Sequence, residues 1–447
     1  MKNKLLLLFL LVLLSTYKVS AQTQQAVALS LEQAVDYAMQ NQPDVKIAIV
    51  QERIAQNQTD IAKTALLLKV NGTVDGRDNL RLPTSMFPGK ILEANNPNAP
   101  QYLPVRAGTR YNLTASVDAT QPLFDATYFS AVKYAKKNEQ YQNQNIDQTK
   151  LNSKLSVMQA YYSALLNNEK LAYSRSNAAR NQKYYNDAKV KYENGNLIKS
   201  DLDRFYLDYL NAVTTLQNDE KNAKASKDFL SSQIGLPLQT ELILSDSLTK
   251  IASIDTNEVK LIEEQTSYAE SRPEYKMQVT QMQMNQLSIQ QTTRDYLPKI
   301  SAYGLIAAQN FFVMGNTWYP YSYIGVKLTV PIFDGFQRKN NIDGYRLQII
   351  NNQNNLQKLK LNIDYEVTNT ATTLSTTYET LLIWQKNVAL AEDVVKVNQV
   401  RLAEAKISSA DLTDSENTLT QTQNNYLSAL YNFLVAKVNY VKAKGQL

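Results

Sequence analysis

The chain has 447 residues, 47 Lys and Arg against 41 Asp and Glu, and neither cysteine nor histidine. That excludes a disulfide framework, a lipid-anchored cysteine, a histidine triad and the usual zinc sites, so no cofactor or metal is expected and catalysis is disfavoured. Lys2, Lys4 and Lys18 fall in a leader, which lowers the net charge from +6 to +3 for the rest, too mild and dispersed for a nucleic-acid surface.

The leader is residues 1–21, where Lys2 and Lys4 precede an apolar run from Leu5 to Leu14 and then Val19-Ser20-Ala21. This is the layout of a cleavable secretory signal. Its apolar run is shorter than the roughly 20 residues that span a bilayer, and nothing downstream approaches that length. Entry into a membrane therefore requires strands closed into a barrel, the only other structure that satisfies its backbone in lipid.

From residue 22 the pattern predicts a helix over about 31–64, a strand over 66–76 and a second strand over 109–123. In the first strand Leu66, Leu68, Val70, Gly72 and Val74 alternate with Lys69, Asn71, Thr73 and Asp75. In the second, apolar or small residues occupy odd positions from 111 to 119, Leu113 and Val117 among them, and polar ones such as Thr114 and Asp118 even positions. Such ten-residue alternation marks transmembrane strands, though a half-buried soluble sheet gives the same signal. The connection 77–107, with five prolines, reads as an external loop.

Beyond Leu123 proline vanishes until Pro237 and glycine is confined to Gly195 and Gly235. The stretch predicts helices over 125–193 and 202–232, the first a rod of about 100 Å at 1.5 Å per residue. A connecting, equatorial segment follows over 239–267. Then come a helix over 270–295, strands over 297–309 and 321–333, and helices over 335–404 and 412–444. Along the last helix Leu412, Leu419, Tyr426, Phe433 and Tyr440 form a seven-residue spine, matched by Leu202, Tyr209, Leu216, Ala223 and Leu230 at an offset of 210. A sustained heptad keeps one seam against a neighbouring helix. Phe311, Phe312, Trp318, Tyr319, Tyr321 and Tyr323 crowd one end of the second strand pair, and Phe124, Phe333 and Tyr296 the other, which predicts two aromatic girdles.

These elements occur twice. Gln42-Pro43-Asp44 through Lys69 parallels Arg272-Pro273-Glu274 through Lys299 at an offset of 230, and Gln121-Pro122-Leu123-Phe124-Asp125 returns as Val330-Pro331-Ile332-Phe333-Asp334 at 209. The first copy thus carries a 21-residue insertion between the two matches. The chain divides into a first repeat over 22–238 and a second over 268–447. Each chain offers four strands where about eight are needed to close a barrel, so it must oligomerise, and periodicity leaves two or three subunits open.

In the order and duplication of these motifs the chain resembles the TolC family of outer-membrane efflux proteins. The carrying residues are Leu29-Ser30-Leu31-Glu32-Gln33-Ala34, the two Pro-aromatic turns, Ile234-Gly235-Leu236-Pro237, Arg272-Pro273-Glu274 and Tyr296-Leu297-Pro298. The resemblance implies a mainly α fold with a membrane β-barrel portion: long coiled-coil helical hairpins plus four transmembrane strands per chain, in a homotrimer set in outer-membrane lipid and extending into the periplasm. It implies a passive, non-enzymatic exit duct of a tripartite efflux or type I secretion system, docked to a periplasmic adaptor (membrane fusion protein) and an inner-membrane pump, for small molecules such as drugs. The competing class is a periplasmic coiled-coil adaptor or scaffold, which shares the hairpins but has no need of the strands.

The family's acidic aperture maps onto Asp411 and Asp414, with Asp201 corresponding in the first copy. Two readings of these residues stand: stacked acidic rings around a three-fold axis that favour cations, or solvated helix N-termini, where Asp is favoured by free N–H groups. The helix-tip turns expected to meet an adaptor are Gly195, Asn196 and Leu197 in the first copy and Ala405 and Ile407 in the second. Leu402 and Ile407 stand where the family has a Tyr and an Arg that lock the closed mouth, so that lock does not carry over.

Overall fold

A computed structural model describes residues 26–253, 268–312, 315, 317–404 and 406–447. The proposed leader, the tip residue Ala405 and part of the 239–267 connection lie outside them. In chain order the elements are β1 (Val27–Leu29), α1 (Leu31–Asn41), α2 (Pro43–Lys63), β2 (Lys69–Asp78), β3 (Thr84–Pro88), β4 (Tyr102–Arg106), β5 (Tyr111–Phe124), α3 (Thr127–Glu193) and α4 (Lys199–Ile234). There follow β6 (Leu242–Leu244), α5 (Leu248–Ser253), α6 (Pro273–Arg294), β7 (Lys299–Asn310), β8 (Trp318–Thr329), α7 (Gln337–Ala403) and α8 (Ser409–Ala443). Helices α3 and α7 are each 67 residues long, as the absence of proline allows, and α7 tolerates Gly344 in its interior. No helix among the described residues is long and apolar enough to cross a membrane.

The expected helix 31–64 is two helices. Gln42 adopts extended backbone (ψ 130°) because the Pro43 ring disfavours helical geometry in the residue before it, and Pro43 then opens α2 as a first-turn proline. Ser30 caps α1 in a full capping box with Gln33, which gives the Ser30-Leu31-Glu32-Gln33 motif its physical meaning.

The chain forms two compact units that do not coincide with the two sequence repeats, since each draws segments from both. The first comprises the residues up to Gln51, Asn143–Met277 and Leu356–Leu447. Its core joins Tyr161 and Leu165 of α3, Leu230 and Ile234 of α4, Leu374 and Leu381 of α7, and Leu430, Phe433 and Leu434 of α8. The α8 spine residues Leu412, Leu419, Phe433 and Tyr440 are all buried. The Tyr161 hydroxyl lies 3.0 Å from both the Leu29 carbonyl and an Asp246 carboxylate oxygen, and that oxygen also accepts from the Leu31 N–H at 2.8 Å. This ties the parallel β1/β6 pair to the long helix. Arg272, 3% exposed, bonds Glu274 and Glu366, and Lys442 reaches Glu366 at 2.6 Å, so the buried guanidinium is matched by carboxylates.

The second unit, Glu52–Gln142 with Gln278–Asn355, holds an antiparallel sheet in the order β2-β5-β7-β8. The register places Gly72 opposite Val117, Val117 opposite Ile306, and Gly304 opposite Ile324. Val70, Val74, Leu113, Val117, Ile306, Ile324, Val326 and Leu328 therefore share one face, because strand side chains alternate. That face is open, with Ile306 71% and Ile324 92% exposed. Asn71, Asp118, Tyr303, Tyr323 and Lys327 share the other, where Asn71 donates to Asp118 at 3.1 Å.

Three expectations need correction. Tyr319, Tyr321 and Tyr323 do not belong to a girdle on the apolar face: period 2 sends all three to the polar side, and Tyr323 pairs mid-sheet with Leu305 and meets Tyr303 edge-on at 6.0 Å. The 77–107 connection is not a plain loop, since it forms the β3/β4 hairpin. The two Pro-aromatic turns also differ. Strand β5 runs through Pro122 to Phe124 with a register shift, whereas β8 stops at Thr329 and Gly335 and Phe336 take left-handed backbone (φ 64° and 66°). Their aspartates act alike, Asp125 accepting from the Thr127 N–H at 2.9 Å and Asp334 from the Arg338 N–H at 3.0 Å, each at the start of a long helix.

Candidate functional site at the helix tips

The chain reverses twice at helix tips, between α3 and α4 and between α7 and α8. At the first, Gly195 has φ +72°, Asn196 N–H donates to the Lys191 carbonyl at 2.8 Å and Gly195 N–H to Tyr192 at 2.9 Å. This pairing is a Schellman motif, which needs a left-handed residue that glycine supplies without strain. At the second, Lys406 N–H donates to the Arg401 carbonyl at 2.8 Å, the same bond 210 positions on. Leu197 and Ile407 are half-buried and Asn196 is exposed.

The helices leaving the turns start differently. Ser408 caps α8 and Asp411 closes the box: its carboxylate accepts from the Ser408 N–H at 2.9 Å and hydroxyl at 2.7 Å, and its own N–H donates to the Ser408 hydroxyl at 3.2 Å. Those hydrogen bonds hold the Asp411 carboxyl below its ordinary value. At α4 the equivalent cap position is Ile198, which offers no side-chain acceptor, although Asp201 stands ready at the third position. Asp414 projects to solvent, its nearest cation being Arg204 of α4 at 3.7 Å. Arg204 is the repeat equivalent of Asp414, so corresponding positions of the two hairpins carry opposite charges and face each other. Thr413 donates to Asp208 across the same pair of helices at 3.2 Å.

Two turns into α8 sits a group that no sequence motif singles out. Glu416 is 5% exposed, accepts from Arg180 at 3.0 Å and from the Tyr184 hydroxyl at 2.7 Å, and Tyr184 in turn accepts from Gln399 of α7 at 3.1 Å. Burial, followed by the bond to Glu416, pushes the Tyr184 phenol up to about 12. Four side chains thus join α3, α7 and α8. Arg180 and Tyr184 are one helical turn apart, but nothing local in sequence announces a partner more than 230 residues away.

The Asp411/Asp414 pair therefore separates by task. Asp411 is occupied with its helix end, Asp414 is an exposed carboxylate beside Arg204, and Asp201 is half-buried in the first turn of α4.

Against known proteins, the family model of the outer membrane efflux protein matches residues 34–235 and 267–446. The chain belongs to the outer membrane efflux protein family. No curated protein sequence matches it. Among solved structures it is similar to the MtrE outer membrane channel of Neisseria gonorrhoeae in its open state, with TM-score 0.69, 15% identity and coverage of 96% of this chain and 94% of that one. The CmeC outer membrane channel of Campylobacter jejuni gives TM-score 0.70 and 14% identity over 93% and 85%, and the outer membrane protein VceC of Vibrio cholerae 0.68 and 13% over 93% and 96%. This family member is an outer membrane efflux channel, not an enzyme, that spans the outer membrane and extends into the periplasm. Membership implies a trimeric channel of the kind that works in tripartite efflux systems.

Proposed function

We propose that three copies of this chain form a passive exit duct for small molecules such as drugs, with twelve strands in the outer membrane and the helical hairpins reaching through the periplasm to an adaptor and an inner-membrane pump. The observation that carries the reading is the four-stranded sheet whose apolar face is open and whose outer strands β2 and β8 have no further strand partner among the described residues. An uncovered apolar face suits lipid, and unpaired edges are tolerated there only when closed by further copies. A coiled-coil scaffold needs neither. The exposed heptad of α7, Ile383, Leu390 and Val397, supports burial against a neighbouring chain in the same assembly.

In this reading the tip turns, Gly195 to Leu197 with Ala405 and Ile407, meet the adaptor, and Asp414, with Asp411 and Asp201 behind it, sets the charge of the periplasmic mouth. Three exposed Asp414 carboxylates about one axis favour cations. The test is single-channel recording in planar bilayers. Asp414→Asn is expected to lose cation preference and block by multivalent cations, while Asp411→Asn, whose carboxylate is engaged by Ser408, changes them less. Unchanged selectivity in the Asp411→Asn/Asp414→Asn double variant would place the aperture elsewhere.

A further inference from the structure

The β2/β5 ribbon continues past the four-stranded sheet. Beyond the last pair, Asp78 with Tyr111, Asn79 N–H donates to the Arg110 carbonyl at 2.7 Å and Ala107 N–H to the Pro83 carbonyl at 3.1 Å. Strands β3 and β4 then pair from Thr84/Arg106 to Pro88/Tyr102. The tip is folded on itself: a Cβ on Gly89 would lie 1.9 Å from the Pro100 carbonyl oxygen, so only glycine permits that approach. The insertion that distinguishes the first repeat from the second thus builds an ordered projection.

Its surface combines two chemistries. Leu80 is 87% and Ile91 71% exposed, with Met86, Leu92 and Tyr102 also open. Interleaved with them, Arg81, Lys90 and Arg106 are exposed and have no ion-pair partner among the described residues. Arg77 and Arg110, nearer the sheet, are by contrast matched to Asp75 at 2.9 Å and Asp78 at 3.2 Å. Met86, Tyr102 and Arg106 share one face of the hairpin by register. Apolar side chains beside unmatched cations suit an interface where hydrocarbon meets phosphate. The projection leaves the sheet at the end away from α2 and α3, which is the outer leaflet if the helices lie in the periplasm.

We propose that this hairpin is a binding surface for a phosphorylated lipid of the outer leaflet, with Arg81, Lys90 and Arg106 on the phosphates and Leu80, Met86, Ile91 and Leu92 against the apolar portion. The inference is continuous with the lipid-facing side of β2 and β5 and rests on the orientation proposed above.

The test is native mass spectrometry of the detergent-solubilised trimer with added diphosphoryl lipid A, its dephosphorylated form or phosphatidylcholine. The wild type is expected to retain the diphosphoryl lipid in preference to the other two. Arg81→Gln/Lys90→Gln/Arg106→Gln should retain about tenfold less or lower, Ile91→Ser/Leu92→Ser should weaken all retention, and Arg77→Gln, which removes a matched cation, should change little. Trimer mass and conductance of the same variants read the channel separately, so lipid loss from an intact trimer bears on the hairpin alone. Equal retention of the three lipids, unchanged retention in the triple variant, or disulfide cross-linking of Ile91→Cys between copies would overturn the proposal, the last by assigning the apolar tip to a second copy of the hairpin.

Discussion

Val117 and Asp118 are adjacent in sequence and opposed in environment, one on the open apolar face of β5 and the other bonded to Asn71. An arginine near the midplane of a lipid-facing strand costs about 2–4 kcal/mol. Val117→Arg is therefore expected to cut the yield of heat-resistant oligomer in membranes far below that of Asp118→Arg, and equal yields would refute the facing assigned to β5. Glu416 is decided by its surroundings in the same way. Its removal takes the ion pair from the Arg180 guanidinium, which keeps Asn177, and the acceptor from the Tyr184 hydroxyl, and a buried donor left without its acceptor costs about 1–3 kcal/mol. Glu416→Ala should loosen the contact of α8 with α3, read as faster amide exchange over residues 412–422 and more frequent opening in single-channel traces, with Tyr184→Phe showing a smaller effect of the same sign.

Glu366 adds a pH dependence. Burial alone would raise its carboxyl, but hydrogen bonds from Lys442 and Arg272 outweigh that and hold it below its ordinary value. A carboxyl depressed in the folded state contributes stability above its unfolded value, about 4.3 for glutamate, and that contribution is lost as pH falls through the folded value. The melting temperature of Glu366→Gln should accordingly lie below that of the wild type at pH 7, with the gap closing as the solution is acidified below about pH 4. A gap that persists in acid would mean that packing, not charge, is what the substitution disturbs.

At the scale of elements, the two tip helices offer a controlled comparison, since α8 has a serine cap with a carboxylate at the third position and α4 has Ile198 with Asp201 waiting. Ser408→Ala should cost about 1 kcal/mol of local stability, a severalfold rise in amide exchange over the first turn of α8. Ile198→Ser should do the reverse for α4 by completing the missing box. Because Ile198 is largely exposed, little packing is lost in the exchange. Further along α7, Thr368, Thr372, Thr373, Thr376, Thr377 and Thr380 each donate a hydroxyl to the carbonyl four residues earlier. This competition with the ladder tends to bend a helix and marks the stretch as the compliant part of an otherwise uniform 67-residue rod.

For the whole molecule, the decisive number among the described residues is the four strands of the sheet β2-β5-β7-β8. A sheet with both edges unpaired and its apolar side uncovered is prone to association in water, so assembly with further copies is expected to accompany folding. Mass measurement after gentle detergent extraction is expected to give three chains. A monodisperse monomer with full helicity would contradict the duct. The division into two compact units follows the same pattern, since each repeat contributes two strands to the four-stranded sheet of the second unit and helical segments to both units.

The sequence by itself determined whatever depends on local periodicity. The absence of proline sets helices of 67 residues, alternation sets which side of each strand is apolar, the α8 heptad sets a buried spine, and four strands set the need for further copies. It also carried the family likeness, because duplicated motifs in fixed order survive where overall identity does not. Tertiary structure decided whatever depends on a partner distant along the chain. Glu416 became a buried link only when packing brought Arg180 and Tyr184 beside it, and Arg204 met Asp414 only because two repeats fold back on each other. The tyrosines of β8 read as a girdle by clustering, yet the alternation that sets Tyr323 opposite to Ile324, Val326 and Leu328, itself legible in the sequence, puts Tyr319, Tyr321 and Tyr323 on the polar side. Asp411 and Asp414 are chemically identical in sequence. What separates them is Ser408, three positions before the first in a local capping box, and Arg204 of α4 beside the second, a neighbour that only packing supplies.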